Sequence, residues 1–128
     1  VINSAYQGRR NRWSYHVLFP YGGREEPRFP GLVKYDLQTG GYIAYSAGPQ
    51  YFYNEPGFAP RDDAQAEDDG YLVTPAWNPV DQRSELQVFD ARGARMADGP
   101  VARVVLPRRV PHGFHATFVS EKTLQRWK

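Results

Sequence analysis

Glycine and proline recur every few residues along this chain, and this spacing is its strongest constraint on the fold. The 128 residues include 12 Gly and 11 Pro. Both residues disfavour the interior of a helix, and proline also removes a backbone hydrogen bond there. Because these residues recur so often along most of the chain, a mainly helical protein is excluded.

Apolar residues alternate with polar ones in short runs between these breakers, which is the period of a β-strand with one buried face. The pattern predicts an all-β protein with eight strands and no helix. The predicted strands cover residues 12–18, 32–37, 41–46, 57–60, 71–77, 85–90, 101–106 and 113–119.

Two turns connect neighbouring strands as antiparallel hairpins. One runs from Asp36 to Gly41 and the other from Asp90 to Ala94, and each contains a glycine that can adopt a positive φ. Gly22 and Gly23 are predicted to be hairpin glycines as well, because no helix follows them to form a phosphate site. The acidic run 62–69 is predicted to be a polar loop between strands.

A weak internal repeat relates the segments 32–36 and 86–90. Each has apolar residues at alternate positions, an aromatic residue at the fourth position, and then an aspartate followed by a turn. A four-stranded unit that repeats at roughly 40–60 residues is typical of a β-propeller blade. A single small β-sandwich or β-barrel fits the same pattern, and the pattern alone leaves both open.

Composition excludes several classes of function. Cysteine is absent, so disulfides, thiolate nucleophiles and Cys-ligated metals are excluded. The formal net charge is +2, and the short basic clusters 9–12 and 108–109 lack interleaved aromatic residues, so nucleic-acid binding is not expected. There is no apolar run long enough for a membrane span and no secretory signal, which predicts a cytoplasmic protein.

The three histidines are the side chains best suited to chemistry near neutral pH. His16 lies on a predicted strand, and His112 and His115 face opposite sides of an extended segment, so those two cannot bind one ion together. For a lone histidine, a hydrogen-bonded structural imidazole is the commoner role. Glu55 is embedded among aromatic residues and prolines, and a metal-bound imidazole N–H is one partner that would stabilise such a carboxylate.

Several segments together resemble the carotenoid cleavage oxygenases, a family that includes apocarotenoid oxygenases and lignostilbene dioxygenases. Residues 106–118, with the run Pro111-His112-Gly113-Phe114-His115, resemble the family's C-terminal segment. Residues 55–61, Glu-Pro-Gly-Phe-Ala-Pro-Arg, resemble a second family element, and residues 31–36, 67–72 and 83–91 fit the strands around it. The resemblance covers nearly the whole chain in the family's order.

This resemblance implies a seven-bladed β-propeller with a non-haem Fe(II) held by four histidines. His115 matches the last iron ligand, and Glu55 matches a glutamate that accepts the second ring N–H of a ligand imidazole. His16 and His112 do not match ligand positions. Phe58 and Phe114 either line the substrate tunnel or pack in the core, and core packing is the expectation.

The implied reaction is cleavage of a C=C double bond of a carotenoid, apocarotenoid or stilbene by O₂, which gives two carbonyl products. The expected partners are therefore an apolar polyene or stilbene and O₂, with peripheral membrane contact as a further possibility. Because the chain opens at Val1 inside patterned sequence, residues 1–128 are expected to be the C-terminal blades of a longer protein. One imidazole cannot retain Fe(II), so we expect these residues alone to be inactive.

Two other functions fit the strand pattern. One is an all-β binding module without catalysis. The other is a complete small β-barrel that carries a ligand, which would fold as a monomer of 128 residues without a metal.

Overall fold

A computed structural model describes residues 1–19 and 28–127, and these residues form two antiparallel β-sheets. The predicted hairpin at Gly22 and Gly23 lies outside the described residues. The strands are β1 Trp13–Val17, β2 Gly31–Asp36, β3 Tyr42–Ser46, β4 Phe52–Tyr53, β5 Gly57–Pro60, β6 Gly70–Asn78, β7 Arg83–Asp90 and β8 Ala102–Val105. Short 3₁₀ turns lie at Ser4–Tyr6 and Arg95–Asp98, and a five-residue helix, α1, lies at Glu121–Gln125.

The first sheet has the order β1-β2-β3, and its second hairpin has the predicted turn. The Gly40 N–H donates to the Asp36 carbonyl at 2.8 Å, and Gly40 has a φ of +76°. The Asp36 carboxylate accepts the N–H of Gln38 at 3.0 Å, which stabilises the turn from within. The register pairs Tyr35 with Tyr42 on the two strands.

The second sheet is built around β6, which is paired along both edges. Strand β7 pairs with one edge, and β8 continues the sheet beyond β7. The other edge of β6 pairs first with β4 and then with β5. The link between β4 and β5 therefore lies beside the middle of β6, and it contains Asn54 and Glu55.

Aromatic and aliphatic side chains from both sheets form one core. The rings of Tyr15 and Phe58 stack at 5.4 Å between centroids, and the rings of Tyr45 and Phe89 meet edge to face at 5.2 Å. Phe58 is only 6% exposed, so its predicted packing role is confirmed. The buried apolar cluster comprises Tyr15, Leu32, Tyr53, Phe58, Leu72, Ala76, Phe89, Ala91 and Met96.

A buried lysine joins the first sheet to the turns of the second. Lys34 on β2 has no exposed side-chain surface, and its Nζ donates to the Asp68 carboxylate at 2.7 Å and to the Ala91 carbonyl at 2.7 Å. It also donates to the Gly93 carbonyl at 3.0 Å and lies 3.9 Å from the centre of the Trp13 ring. These bonds satisfy all three ammonium hydrogens, which makes burial of the charge tolerable.

The structure corrects three of the strand and helix predictions. The strand predicted at 113–119 is absent, because this segment runs over the surface and bonds to side chains instead of a strand. Strand β4 is two residues long and was not predicted. Helix α1 was also missed, although Ser120 caps it by accepting the N–H of Thr123 at 3.2 Å. The other predicted strands are present, with their ends displaced by about one or two residues.

Phe114 departs from its predicted role in the core. Phe114 is 90% exposed. The segment that carries it lies over the link between β4 and β5, and no described residue packs over its outer side. Among the helices that the structure describes, none is both long and apolar enough to span a membrane.

Candidate functional site

The segment that follows β8 crosses the link between β4 and β5, and the side chain of Asn54 holds it there. The Asn54 Oδ1 accepts the N–H of Gly113 at 3.2 Å, and its Nδ2 donates to the carbonyl of Pro111 at 3.2 Å. The backbone of Asn54 is itself anchored to β6, through a bond from its N–H to the Pro75 carbonyl at 2.9 Å. The Thr74 hydroxyl donates to the Asn54 carbonyl at 2.7 Å. Asn54 thus ties the segment to the central strand.

Two further contacts fix the path of this segment. The N–H of Val110 donates to the hydroxyl of Ser84 at 2.9 Å. At the start of β5, a Cβ on Gly57 would lie 3.1 Å from the backbone nitrogen of Phe118, which is closer than most real Cβ contacts. Glycine at position 57 therefore allows the segment to approach the strand closely.

The same arrangement brings His115 to Glu55, which is 60 residues away in sequence. The Glu55 Oε2 lies 3.3 Å from the Nδ1 of His115, and it also accepts the N–H of Ala116 at 3.0 Å. The His115 side chain is 90% exposed and the Glu55 side chain is 27% exposed. With its Nδ1–H donated to the carboxylate, the neutral imidazole has the lone pair of Nε2 available to bind a metal.

The other two histidines lie apart from this pair. His16 packs edge to face on Tyr35, with ring centroids 5.7 Å apart, and burial lowers its pKa. His112 packs against Phe52, with ring centroids 3.6 Å apart and ring planes tilted by 41°. Within residues 1–19 and 28–127 there is no group of three His, Asp or Glu side chains placed to hold a metal ion.

An aromatic cavity of about 320 Å³ adjoins the pair formed by His115 and Glu55. Glu55 borders both, since its carboxylate contacts His115 and the residue also lines the cavity. Such a mainly apolar cavity with a few polar groups is typical of a site for a small apolar ligand. We call it the aromatic cavity, and its principal lining residues are His16, Phe29, Phe52, Glu55, His112 and Phe114.

His115 and Glu55 fit part of a metal site, in which His115 would be one ligand and Glu55 would orient its ring. An imidazole whose second nitrogen is bonded to a carboxylate is a common arrangement for a metal-binding histidine. A neutral imidazole is also a suitable ligand for Fe(II). A single histidine cannot retain the ion, so a metal site here needs further ligands in addition to His115.

The sequence predicted the two members of this pair but missed the residues around them. Asn54 carries no motif of its own, and its role depends on contacts with residues 111 and 113 that lie far away in sequence. His16 and His112 were predicted to have no ligand role and were given no other role in the site, yet both line the aromatic cavity. The unusual density of aromatic residues near them was the signal available in the sequence.

Comparison with known proteins agrees with the family resemblance seen in the sequence. A family profile described as retinal pigment epithelial membrane protein matches residues 1–120. The chloroplastic 9-cis-epoxycarotenoid dioxygenase of Arabidopsis thaliana is 37% identical over 125 residues, which cover 97% of this chain and 20% of that enzyme.

Two solved structures share the fold described above. The lignostilbene dioxygenase of Pseudomonas brassicacearum is 31% identical with a TM-score of 0.78, and the match covers 92% of this chain and 26% of that protein. The cobalt-substituted apocarotenoid oxygenase of Synechocystis is 29% identical with a TM-score of 0.77, covering 89% of this chain and 23% of that protein.

The chain thus spans about a fifth to a quarter of the length of the proteins it matches. Carotenoid oxygenases of this kind are β-propellers. The predicted all-β fold is confirmed, and the two sheets are part of a propeller domain. The alternative of a complete small sandwich or barrel does not describe them.

Proposed function

The chain belongs to the retinal pigment epithelial membrane protein family, which comprises the carotenoid cleavage oxygenases, and we propose that it forms the C-terminal blades of such an enzyme. The whole protein would be a non-haem Fe(II) dioxygenase that cleaves a C=C double bond of a carotenoid, apocarotenoid or stilbene with O₂. Two carbonyl products would result. The pair formed by His115 and Glu55 at the edge of the aromatic cavity is the observation that carries this proposal.

Each residue of the site has a defined task in this proposal. The Nε2 of His115 would supply one of four imidazole ligands, and the bound iron would supply activation of O₂ next to the substrate. Glu55 accepts the Nδ1–H of His115, which holds the ring in the tautomer that leaves Nε2 unprotonated. The aromatic cavity would bind the flat apolar substrate and exclude water around the double bond.

The test uses the complete protein that contains this chain, loaded with Fe(II). Iron per subunit is measured after dialysis, and the carbonyl products of a polyene and of a stilbene are measured by chromatography. His115→Ala is expected to abolish both iron retention and cleavage. Glu55→Gln is expected to weaken iron binding by about 10- to 100-fold, which is typical when the carboxylate partner of a ligand histidine is changed.

Glu121→Gln is the matched control, because Glu121 lies on the exposed helix α1 and its substitution is expected to change neither iron retention nor cleavage. If His115→Ala retained wild-type iron and activity, the proposal would be wrong and a non-catalytic all-β binding module would replace it. Thermal unfolding of each variant separates loss of the site from loss of the fold.

A cytoplasmic location and peripheral membrane contact remain part of the proposal. An apolar polyene or stilbene substrate partitions into lipid, so contact at a lipid surface would give the protein access to it. Co-sedimentation of the complete protein with phosphatidylcholine vesicles tests this contact. Sedimentation at the level of a vesicle-free sample would contradict it.

A further inference from the structure

A second cavity, of about 410 Å³, lies beside the aromatic cavity and differs from it in charge. Its wall contains two arginines, a glutamine amide and an indole. The guanidinium of Arg109 lies 4.8 Å from the centre of the Trp77 ring, which restricts its orientation. We call it the basic cavity, and the lining residues used below are Arg28, Gln50, Phe52, Trp77, Arg109 and His112.

The two cavities share a wall. Phe52 and His112 line both of them, and the two rings pack against each other with centroids 3.6 Å apart. A ligand whose apolar body fills the aromatic cavity therefore has the basic cavity on the other side of these two rings, where its end group would lie.

The charge of the basic cavity favours an anionic end group. Within residues 1–19 and 28–127, no carboxylate forms an ion pair with Arg28 or Arg109, and no acidic side chain lines the cavity. Arginine presents two parallel N–H groups that match the two oxygens of a carboxylate. Gln50 adds an amide that can donate a further hydrogen bond.

We propose that this protein prefers an apolar polyene that ends in a carboxylate, and that Arg109 and Arg28 bind that carboxylate. The preference rests on the proposed function, because it assumes that the aromatic cavity holds the polyene body. The conjugated chain lies against Phe52 and His112, and the carboxylate lies beside the guanidinium that Trp77 orients.

The experiment compares two substrates of the iron-loaded complete protein: an apocarotenoid acid and the corresponding primary alcohol. The kcat/KM ratio of acid to alcohol is measured for the wild type, Arg109→Gln and Arg28→Gln. Each substitution is expected to lower the ratio by about 5-fold, the scale of one solvent-accessible charge pair, because kcat/KM falls more for the acid than for the alcohol. Arg109→Lys is expected to give an intermediate ratio, because it keeps the charge but loses the planar pair of donors.

Arg108→Gln is the matched control, since Arg108 is the exposed neighbour of Arg109 and does not line the basic cavity. It is expected to leave the ratio unchanged. A wild-type ratio near one would overturn the proposal. Equal losses for acid and alcohol in Arg109→Gln would also overturn it, because they would show a purely structural role for the arginine.

Direct binding separates failure of this proposal from failure of the proposed function. Binding of the same acid and alcohol is followed by quenching of tryptophan fluorescence, which needs no cleavage. If the acid binds more tightly and Arg109→Gln removes that difference while neither compound is cleaved, the carboxylate site stands and the dioxygenase proposal fails. If both compounds are cleaved and bound equally well, the dioxygenase proposal stands and the carboxylate site fails.

Discussion

Replacing Asn54 with alanine tests whether the link between β4 and β5 positions His115, the proposed metal ligand. The substitution removes the bonds to the Gly113 N–H and the Pro111 carbonyl, each 3.2 Å long. It keeps the bonds that the Asn54 backbone makes to β6. Both lost bonds are accessible to solvent, so each contributes about 0.5–1 kcal/mol, the lower part of the usual range, and the two contribute about 1–2 kcal/mol together.

This free energy holds the segment that carries His115 against Glu55, so its loss weakens the binding of any metal that needs the docked segment. Since 1.4 kcal/mol corresponds to about tenfold in an equilibrium constant, Asn54→Ala is expected to weaken Fe(II) binding by roughly 5- to 30-fold. Competition of the complete protein against a chelator of known affinity measures the change.

Asn11→Ala is the matched control, because the Asn11 amide also bonds to a backbone carbonyl at 3.2 Å, that of Trp13, but does not contact the site. It is expected to leave iron affinity unchanged. Unaltered iron affinity in Asn54→Ala would refute the positioning role. A loss of iron that only parallels a lower melting temperature would refute it as well, because the effect would then come from the fold as a whole.

Three further substitutions test the packing that supports the site, each by denaturant unfolding of the complete protein. Lys34→Met leaves the Asp68 carboxylate without its buried partner and is expected to lower the free energy of unfolding by about 3 kcal/mol, whereas Lys122→Met on exposed α1 should change it by less than about 0.5 kcal/mol. Tyr53→Phe removes a buried hydroxyl bond of 2.8 Å to a glutamine and should cost about 1–2 kcal/mol. The hydrogen bond from the Arg92 guanidinium holds the pKa of Asp90 well below its usual range, so the stabilisation is present above the ordinary carboxyl pKa and is lost as the pH falls. The stability difference between wild type and Asp90→Asn should therefore shrink from pH 6 to pH 2, and a constant difference would contradict the assignment.

The strands were predictable because their signals are local. In β6 the local signal is a short apolar run from Tyr71 to Trp77 that only Thr74 interrupts, and the structure buries its residues alternately fully and partly from Gly70 to Asn78. The turn at Asp36 was predictable for the same reason, since its aspartate and glycine act within six residues. Strand β4 was missed because two residues are too short for a period to be visible.

The segment 113–119 shows where local reasoning fails. Its alternation is typical of a strand, but a strand also needs a neighbour whose backbone is free to pair. The edge of β6 that it approaches is already occupied by β4 and β5, so the segment bonds to the side chains of Asn54 and Glu55 instead. The sequence of residues 113–119 alone does not show whether that edge of β6 is already paired.

The candidate site forms because residues 113–119 are not paired as a strand. In a regular strand the Ala116 N–H would bond to a neighbouring backbone carbonyl, whereas here it donates to the Glu55 carboxylate at 3.0 Å. The carboxylate that replaces the missing strand partner is the same one that lies 3.3 Å from His115. The Glu55 carboxylate therefore accepts the backbone N–H that a strand would have paired, and it also orients the imidazole. Family resemblance could match each of the two residues to a role, but their pairing across 60 positions depends on the three-dimensional path of the chain.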